Sequence, residues 1–121
     1  MKKKVLIVED NDLNRRLFKD VLAGAGYQAY AVGSGRAASK VARETRPDLI
    51  LMDICLPDMD GLESVKKIRA SEDLAKIPII ALTACAMDGD EDYFLSEGCA
   101  GYMSKPVSIP GFLKYVEAHL H

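Results

Sequence analysis

Five short runs dominated by apolar residues divide the chain at intervals of about 20 to 30 residues, the length of a βαβ unit. The runs are 5–8, 27–32, 49–52, 77–82 and 102–104. Those at 5–8, 49–52 and 77–82 show no polar alternation, which is typical of strands buried on both faces of a sheet. Segment 27–32 alternates imperfectly, and we therefore expect a strand nearer the edge of the sheet. All five runs predict strands.

The segment after the first strand carries apolar residues at helical spacing. Asn11 or Asp12 can cap a helix here, and the glycines at 24 and 26 end it. The apolar positions are Leu13, Leu17 and Val21, with Phe18 and Leu22 beside them. The polar positions Asn14, Arg15, Arg16 and Lys19 fill the opposite face. We expect the first set to face the core and the second to face solvent.

Four more helices follow from the same periodicity. Small residues at 37–42 indicate a helix that packs closely on the sheet and ends before Arg46, because Pro47 follows. Leu62, Val65 and Ile68 give the next helix its apolar face, with Lys66, Lys67 and Arg69 directed outward. Segment 87–97 is acidic and weakly amphipathic, and we predict a helix there. Ser108 caps the last helix, over 108–120.

Strands that alternate with helices predict an α/β fold, and the right-handed crossover rule makes the sheet parallel with helices on both faces. The 121 residues suit one domain over 1–121. With 16 basic and 18 acidic residues, the composition excludes a nucleic-acid module, which needs a clustered basic surface. No apolar run reaches membrane-spanning length, there is no signal peptide, and the three cysteines form no C-x-x-C pair. We expect a cytoplasmic protein.

Polar residues that could take part in one reaction follow the predicted strands. Glu9 and Asp10 follow the first strand, Asp53 the third, Thr83 the fourth and Lys105 the fifth. Each has an ordinary explanation as a helix cap or a surface charge. In a parallel sheet, however, all of them reach the same edge, where ligands of open α/β folds bind.

Together these residue types suit phosphoryl transfer. Clustered carboxylates repel one another unless a cation neutralises them, and their oxygens favour Mg²⁺. An Asp carboxylate can attack phosphorus to give an aspartyl phosphate. A hydroxyl and an ammonium group, here from Thr83 and Lys105, could bind the oxygens of the transferred group. No glycine-rich nucleotide-binding loop is present, and His119 and His121 lie far from the strand ends in the sequence.

The chain resembles the receiver domain of two-component response regulators along essentially its whole length. The matching segments are 5–11, 48–53 with 56–57 and 60–61, 77–84, and 105–106. The resemblance implies a flavodoxin-like five-stranded sheet of order 2-1-3-4-5 with five helices. It also implies that Asp53 accepts a phosphoryl group from the phosphohistidine of a histidine kinase or phosphotransfer protein.

The same resemblance implies a role for each site residue. Asp10, Asp53 and the backbone carbonyl of Cys55 would bind Mg²⁺ directly, and Glu9 would act through water. Thr83 and Lys105 would hold the phosphoryl oxygens, and the 105–106 peptide bond would be cis.

Signal output in such a protein would involve Tyr102, which matches the switch aromatic of the family. If Thr83 moves toward the phosphoryl group, Tyr102 can rotate inward and the face formed by 87–120 changes shape. No output domain follows His121, so we expect a separate downstream protein to bind this face. We expect a monomer that binds neither nucleic acid nor membrane.

Two alternative functions remain at this point. A Mg²⁺-dependent phosphatase or phosphotransferase could use the same aspartyl phosphate, but such enzymes usually carry a second Asp where this chain has Cys55. A purely structural relative would not need the complete acid, Thr and Lys set. Cys55 and Cys85 flank the expected phosphoryl position and offer little to orient a water. We therefore predict slow self-dephosphorylation.

Overall fold

A computed structural model describes residues 2–54, 61–83, 95–96, 98–104 and 108–120. The strands are β1 (Lys4–Val8), β2 (Gln28–Val32), β3 (Leu49–Asp53), β4 (Ile79–Thr83) and β5 (Gly101–Ser104). The helices within the described part are α1 (Asp12–Gly24), α2 (Gly35–Thr45), α3 (Gly61–Ala70) and α4 (Ile109–Leu120). The helix predicted over 87–97 lies outside the described residues except for Leu95 and Ser96, which are helical.

The strands form one parallel sheet of order β2-β1-β3-β4-β5. This confirms the predicted order and the edge position of β2. Val8 pairs with Met52, and Asp53 pairs with Leu82, so β1, β3 and β4 end almost level. Residues that follow these strands are therefore brought to one edge of the sheet.

The apolar strands fill two cores, one on each face of the sheet. Alternate residues of β1, β3 and β4 point to opposite faces, as the period of a strand requires. Leu6, Ile50 and Ile79 lie in the core covered by α2 and α3. Their neighbours Ile7, Leu51 and Ile80 lie in the core covered by α1 and α4. Burial on both faces explains why the buried residues of these strands are apolar up to their carboxyl ends, with Lys4 only at the partly exposed start of β1.

Helix α1 is rotated relative to the prediction from its apolar pattern. Phe18 and Leu22 are buried, whereas Leu13 is 79% and Leu17 45% exposed. The Phe18 ring stacks on Phe112 of α4, with ring centroids 4.8 Å apart and an interplanar angle of 25°. Because Phe18 faces α4, Leu13 and Leu17, on the other side of the apolar stripe, face solvent. The prediction that Leu13 and Leu17 face the core was wrong.

Local hydrogen bonds set the helix ends. Asn11 Oδ1 accepts from the Asn14 amide at 2.9 Å, and Ser108 Oγ accepts from the Gly111 amide at 3.1 Å. Both caps were predicted, Asn11 as one of two candidates. Helix α2 ends at Thr45, as predicted, because its C-cap Arg46 adopts a left-handed φ of 51° directly before Pro47. Among the described helices, none combines the length and apolar character needed to cross a lipid bilayer.

Arg69 of α3 does not face outward as predicted. Its Nε donates to the Gly98 carbonyl at 2.9 Å, and Nη1 donates to the Ala75 and Ile77 carbonyls at 2.9 and 2.6 Å. Burial lowers the pKa of the Arg69 guanidinium from its ordinary value, and the nearby Cys99 offsets part of that shift. The long side chain thus joins α3 to the backbone before β4 and before β5.

Replacing Phe112 by Ala should lower the free energy of unfolding by about 3–5 kcal/mol, because it removes a buried ring that is stacked on Phe18. Leu13→Ala is the matched control and should change that free energy by less than about 0.5 kcal/mol, since its side chain is exposed. Urea unfolding followed by circular dichroism measures both. Comparable losses in the two variants would contradict the orientation of α1.

Candidate functional site

Three carboxylates meet at the carboxyl ends of β1 and β3. Glu9 and Asp10 follow β1 directly, and Asp53 is the last residue of β3. One oxygen from each side chain lies within 4.8 Å of the others. Glu9 is 1% and Asp53 5% exposed, whereas Asp10 is exposed to solvent. The structure therefore brings together the three acids that the strand-end pattern singled out.

Hydrogen bonds of the neighbouring backbone fix these acids. The Glu9 amide donates to the Val32 carbonyl of β2 at 3.0 Å, which extends the sheet one residue beyond β1. Its Oε1 accepts from the Asn11 amide at 3.4 Å. Beyond Asp53, the Ile54 amide donates to Leu82 at 3.0 Å. The Glu9 and Asp53 carboxylates thus extend from backbone that is hydrogen-bonded to neighbouring strands.

Burying like charges together is unfavourable unless other groups offset their repulsion. Among the described residues, the buried polar or charged ones are Glu9, Asp53 and Ser64, so two of these three belong to the cluster. An all-oxygen donor set with an open, solvent-facing side fits a hard divalent cation. The residues present therefore fit a metal ion.

Arg15 lies beside the cluster and not on the solvent face predicted for it. Its side chain is 27% exposed. Nη1 donates to the Glu9 carbonyl at 3.0 Å and, at 3.5 Å, to the Asp10 carbonyl. Nη2 forms an ion pair with the Asp12 carboxylate. Helical periodicity had placed Arg15 correctly on α1 but could not show that it reaches back toward β1.

The other predicted site residues are described in part or not at all. Thr83 ends β4, where its backbone pairs with Ser104, but its side chain lies outside the described part of the chain. Cys55, Cys85 and Lys105, and with Lys105 the peptide bond predicted to be cis, also lie outside it. Their roles remain predictions.

Tyr102 is half-buried and packs against the core under α2 and α3. Its amide donates to the hydroxyl of Tyr115 on α4 at 3.1 Å. Because β5 is an edge strand, this hydroxyl pairs with a backbone group that no neighbouring strand can reach. A side chain at Gly101 would collide with the same hydroxyl. The sequence alone gave no indication of this link between the predicted switch strand and α4.

Comparison with known proteins identifies the family. The family model described as the response regulator receiver domain matches residues 5–117 of this sequence. The chain belongs to the response regulator receiver domain family. It is 48% identical over 120 residues to the polar-differentiation response regulator DivK of Brucella ovis, covering 99% of this chain and 98% of that protein. The DivK of Brucella anthropi matches equally well, with 48% identity over 120 residues.

Solved receiver structures share the fold. Chemotaxis protein CheY4 of Vibrio cholerae matches with a TM-score of 0.93 and 30% identity, over 99% of this chain and 100% of CheY4. The receiver domain of the sensor histidine kinase PA1611 of Pseudomonas aeruginosa matches with a TM-score of 0.89 and 35% identity, over 99% of this chain and 98% of that one. The PA1611 structure carries a magnesium ion coordinated in the active site cleft.

Family membership gives the general function. This chain is a phosphorylation-switched response regulator of two-component signalling. Receiver domains interact with histidine kinases or phosphotransfer proteins and with downstream partners, and they are typically not dedicated enzymes. The predictions of the family, of its flavodoxin-like sheet and of this general function are confirmed.

Tyr115→Phe removes the acceptor of the Tyr102 amide. We expect the free energy of unfolding to fall by about 1 kcal/mol and the Tyr102 amide to exchange with solvent several-fold faster, because that amide loses its partner. Hydrogen exchange followed by NMR measures the second effect residue by residue. Tyr30→Phe is the control, since it removes only an exposed bond to Gln28. Unchanged protection of Tyr102 in Tyr115→Phe would contradict the link.

Proposed function

We propose that Asp53 is the phosphoryl acceptor of this response regulator and that Mg²⁺ binds beside it. The observation that carries the proposal is the cluster of Glu9, Asp10 and Asp53, whose oxygens lie within 4.8 Å of one another at the end of a parallel sheet. Asp10, Asp53 and the Cys55 carbonyl would hold the ion directly, with Glu9 acting through water. The magnesium ion of the PA1611 receiver domain supports the choice of metal.

The reaction is a direct transfer from a phosphohistidine donor. An Asp53 oxygen attacks phosphorus, a P–O bond forms, the P–N bond to the imidazole breaks, and the released imidazole takes up a proton. When bound, Mg²⁺ supplies positive charge to the phosphoryl oxygens. In this proposal the Thr83 hydroxyl and the Lys105 ammonium group bind the remaining oxygens. Asp53 presents its carboxylate from the end of a strand that is buried along its whole length.

The phosphorylated state would be read on the face formed by 87–120. Within its described part, Leu95 and Ile109 are large apolar residues exposed to solvent. Tyr102 lies between that face and the core, and its backbone is bonded to α4 through Tyr115. A change at Thr83 that rotates Tyr102 would therefore alter β5 and α4 together. A downstream protein that recognises this face would sense the phosphoryl group at a distance.

The remaining elements of the proposal concern the protein as a whole. Residues 1–121 act as one receiver domain, in the cytoplasm and as a monomer, with no dedicated small-molecule substrate. The two cores that share a single sheet support the single domain. Among the described residues, Cys99 is buried and forms no disulfide, which suits a reducing compartment.

Incubation with Mg²⁺ and acetyl phosphate should add one phosphoryl group to the wild-type chain, as measured by intact mass spectrometry. Asp53→Asn should show no addition, because an amide oxygen is a poor nucleophile. Asp10→Asn should react at least about 10-fold more slowly, because loss of a direct metal ligand should cost no less than loss of an outer-shell partner. Asp48→Asn, which changes an exposed Asp outside the cluster, should react like the wild type. An unmodified wild-type chain would contradict the proposal.

The same reaction tests the predicted stability of the aspartyl phosphate. After removal of the donor, phosphorylated Asp53 should persist for minutes or longer, since the Cys55 and Cys85 side chains offer little to orient an attacking water. Cys55→Asn, which introduces an amide able to orient water, should shorten the lifetime several-fold. Loss of the phosphoryl group within seconds in the wild type would show that the prediction of slow hydrolysis is wrong.

A further inference from the structure

The Arg15 side chain points back toward the start of α1, an orientation that the helix itself does not favour. It belongs to the first turns of α1, where a cation is unfavourable next to the positive end of the helix dipole. Its guanidinium nevertheless turns back over the helix start to the Glu9 carbonyl at 3.0 Å. The Asp10 carbonyl, at 3.5 Å, accepts from the same nitrogen. The two residues whose backbone it binds are two of the three acids in the cluster.

A second feature of the chain makes room for this guanidinium. A Cβ atom at Gly33 would lie 2.7 Å from Arg15 Nη1, too close for unbonded atoms. Gly33 does not adopt the left-handed φ seen at Gly26 and Gly98, so its backbone does not require glycine. The absence of a side chain at Gly33 leaves the space that the Arg15 guanidinium occupies. Residues from β2's carboxyl end and from α1 thus shape one guanidinium site.

We propose that Arg15 is a positioning residue for the metal site, and this rests on the function proposed above. By binding the carbonyl oxygens of Glu9 and Asp10, it fixes the two peptide groups from which their carboxylates extend toward Asp53. Gly33 keeps the guanidinium in place, and Asp12 orients it from the solvent side. Arg15 itself does not contact the phosphoryl group or the metal ion.

Arg15 has two opposite effects on the affinity for Mg²⁺, one through its charge and one through positioning. Whether its removal raises or lowers that affinity therefore distinguishes the positioning role from a simple charge effect. As a positive charge near three carboxylates, Arg15 weakens the attraction for Mg²⁺. As a positioning group, it strengthens binding by holding the ligands in place. Removal of Arg15 therefore tightens Mg²⁺ binding if charge dominates and weakens it if positioning dominates.

Isothermal titration of metal-free protein with MgCl₂ measures the effect without any turnover. We expect Arg15→Met to bind Mg²⁺ about 10-fold more weakly than the wild type, the usual result of losing an outer-shell partner. Gly33→Ala should show a similar loss, because its methyl group displaces the guanidinium while the charge stays in the chain. The double variant should bind no more weakly than Arg15→Met alone, since both changes disrupt one interaction.

Two controls match these variants. Arg16→Met removes the same charge from an exposed position of α1, and Gly24→Ala adds a methyl group where no atom lies within 4 Å. Both should bind Mg²⁺ within about twofold of the wild type, as expected for changes outside the outer shell. Urea unfolding verifies that each variant is folded. If Arg15→Met does not fold, Gly33→Ala still tests the proposal.

The outcomes distinguish this inference from the function on which it rests. Unchanged or tighter Mg²⁺ binding in Arg15→Met, or wild-type binding in Gly33→Ala, would overturn the positioning role and leave the metal site intact. An equal loss in Arg16→Met would overturn it as well. A wild-type chain that binds no Mg²⁺ would contradict the proposed metal site itself.

Discussion

Electrostatic repulsion among Glu9, Asp10 and Asp53 is the constraint on which the function of this fold depends. Two of these carboxylates are buried, and all three have oxygens within 4.8 Å of one another. Acids on a flexible loop would move apart and so relieve this repulsion. Here the acids extend from the ends of paired parallel strands, so the sheet holds them together and a cation can lower the energy of the site. The two cores, one on each face of the sheet, thereby hold the strand ends that bring the three acids together.

Contacts in and around the two cores connect the carboxylate site to the 87–120 face. Stacking between Phe18 and Phe112 joins α1, which starts beside the acids, to α4. Tyr115 on α4 then bonds to the backbone of Tyr102 at the sheet edge. On the other face, Arg69 joins α3 to the segment before β5. A chemical event at the strand ends thus has packed side chains and hydrogen bonds through which it could affect the 87–120 face.

Much of this arrangement could be predicted because continuous apolar runs and strand-end acids are local signals. Asp53 followed a run of buried residues, so in a parallel sheet it reaches the same edge as Glu9 and Asp10. That its strand lies next to β1 followed only from the resemblance to receiver domains. The rotation of α1 could not be predicted in the same way, because Leu13 and Phe18 both belong to its broad apolar stripe. Only the contact with Phe112, far away in the sequence, decides between them.

Long cationic side chains were the second source of error. Arg15 and Arg69 occupy positions that helical periodicity assigns to solvent, yet each reaches back to carbonyl oxygens of other elements. Their stems can cover apolar surface while the head group finds acceptors far from its own Cα. No pattern of single residues reveals which carbonyls remain to be satisfied once the sheet has formed. Predicting such contacts requires the tertiary structure.

Crystals soaked with Mn²⁺, a substitute for Mg²⁺ with a measurable anomalous signal, would test the central claim most directly. The account predicts an anomalous peak in contact with oxygens of Asp10 and Asp53, which disappears in Asp10→Asn crystals soaked in the same way. A Mn²⁺ peak elsewhere on the molecule with none at the three carboxylates would contradict it.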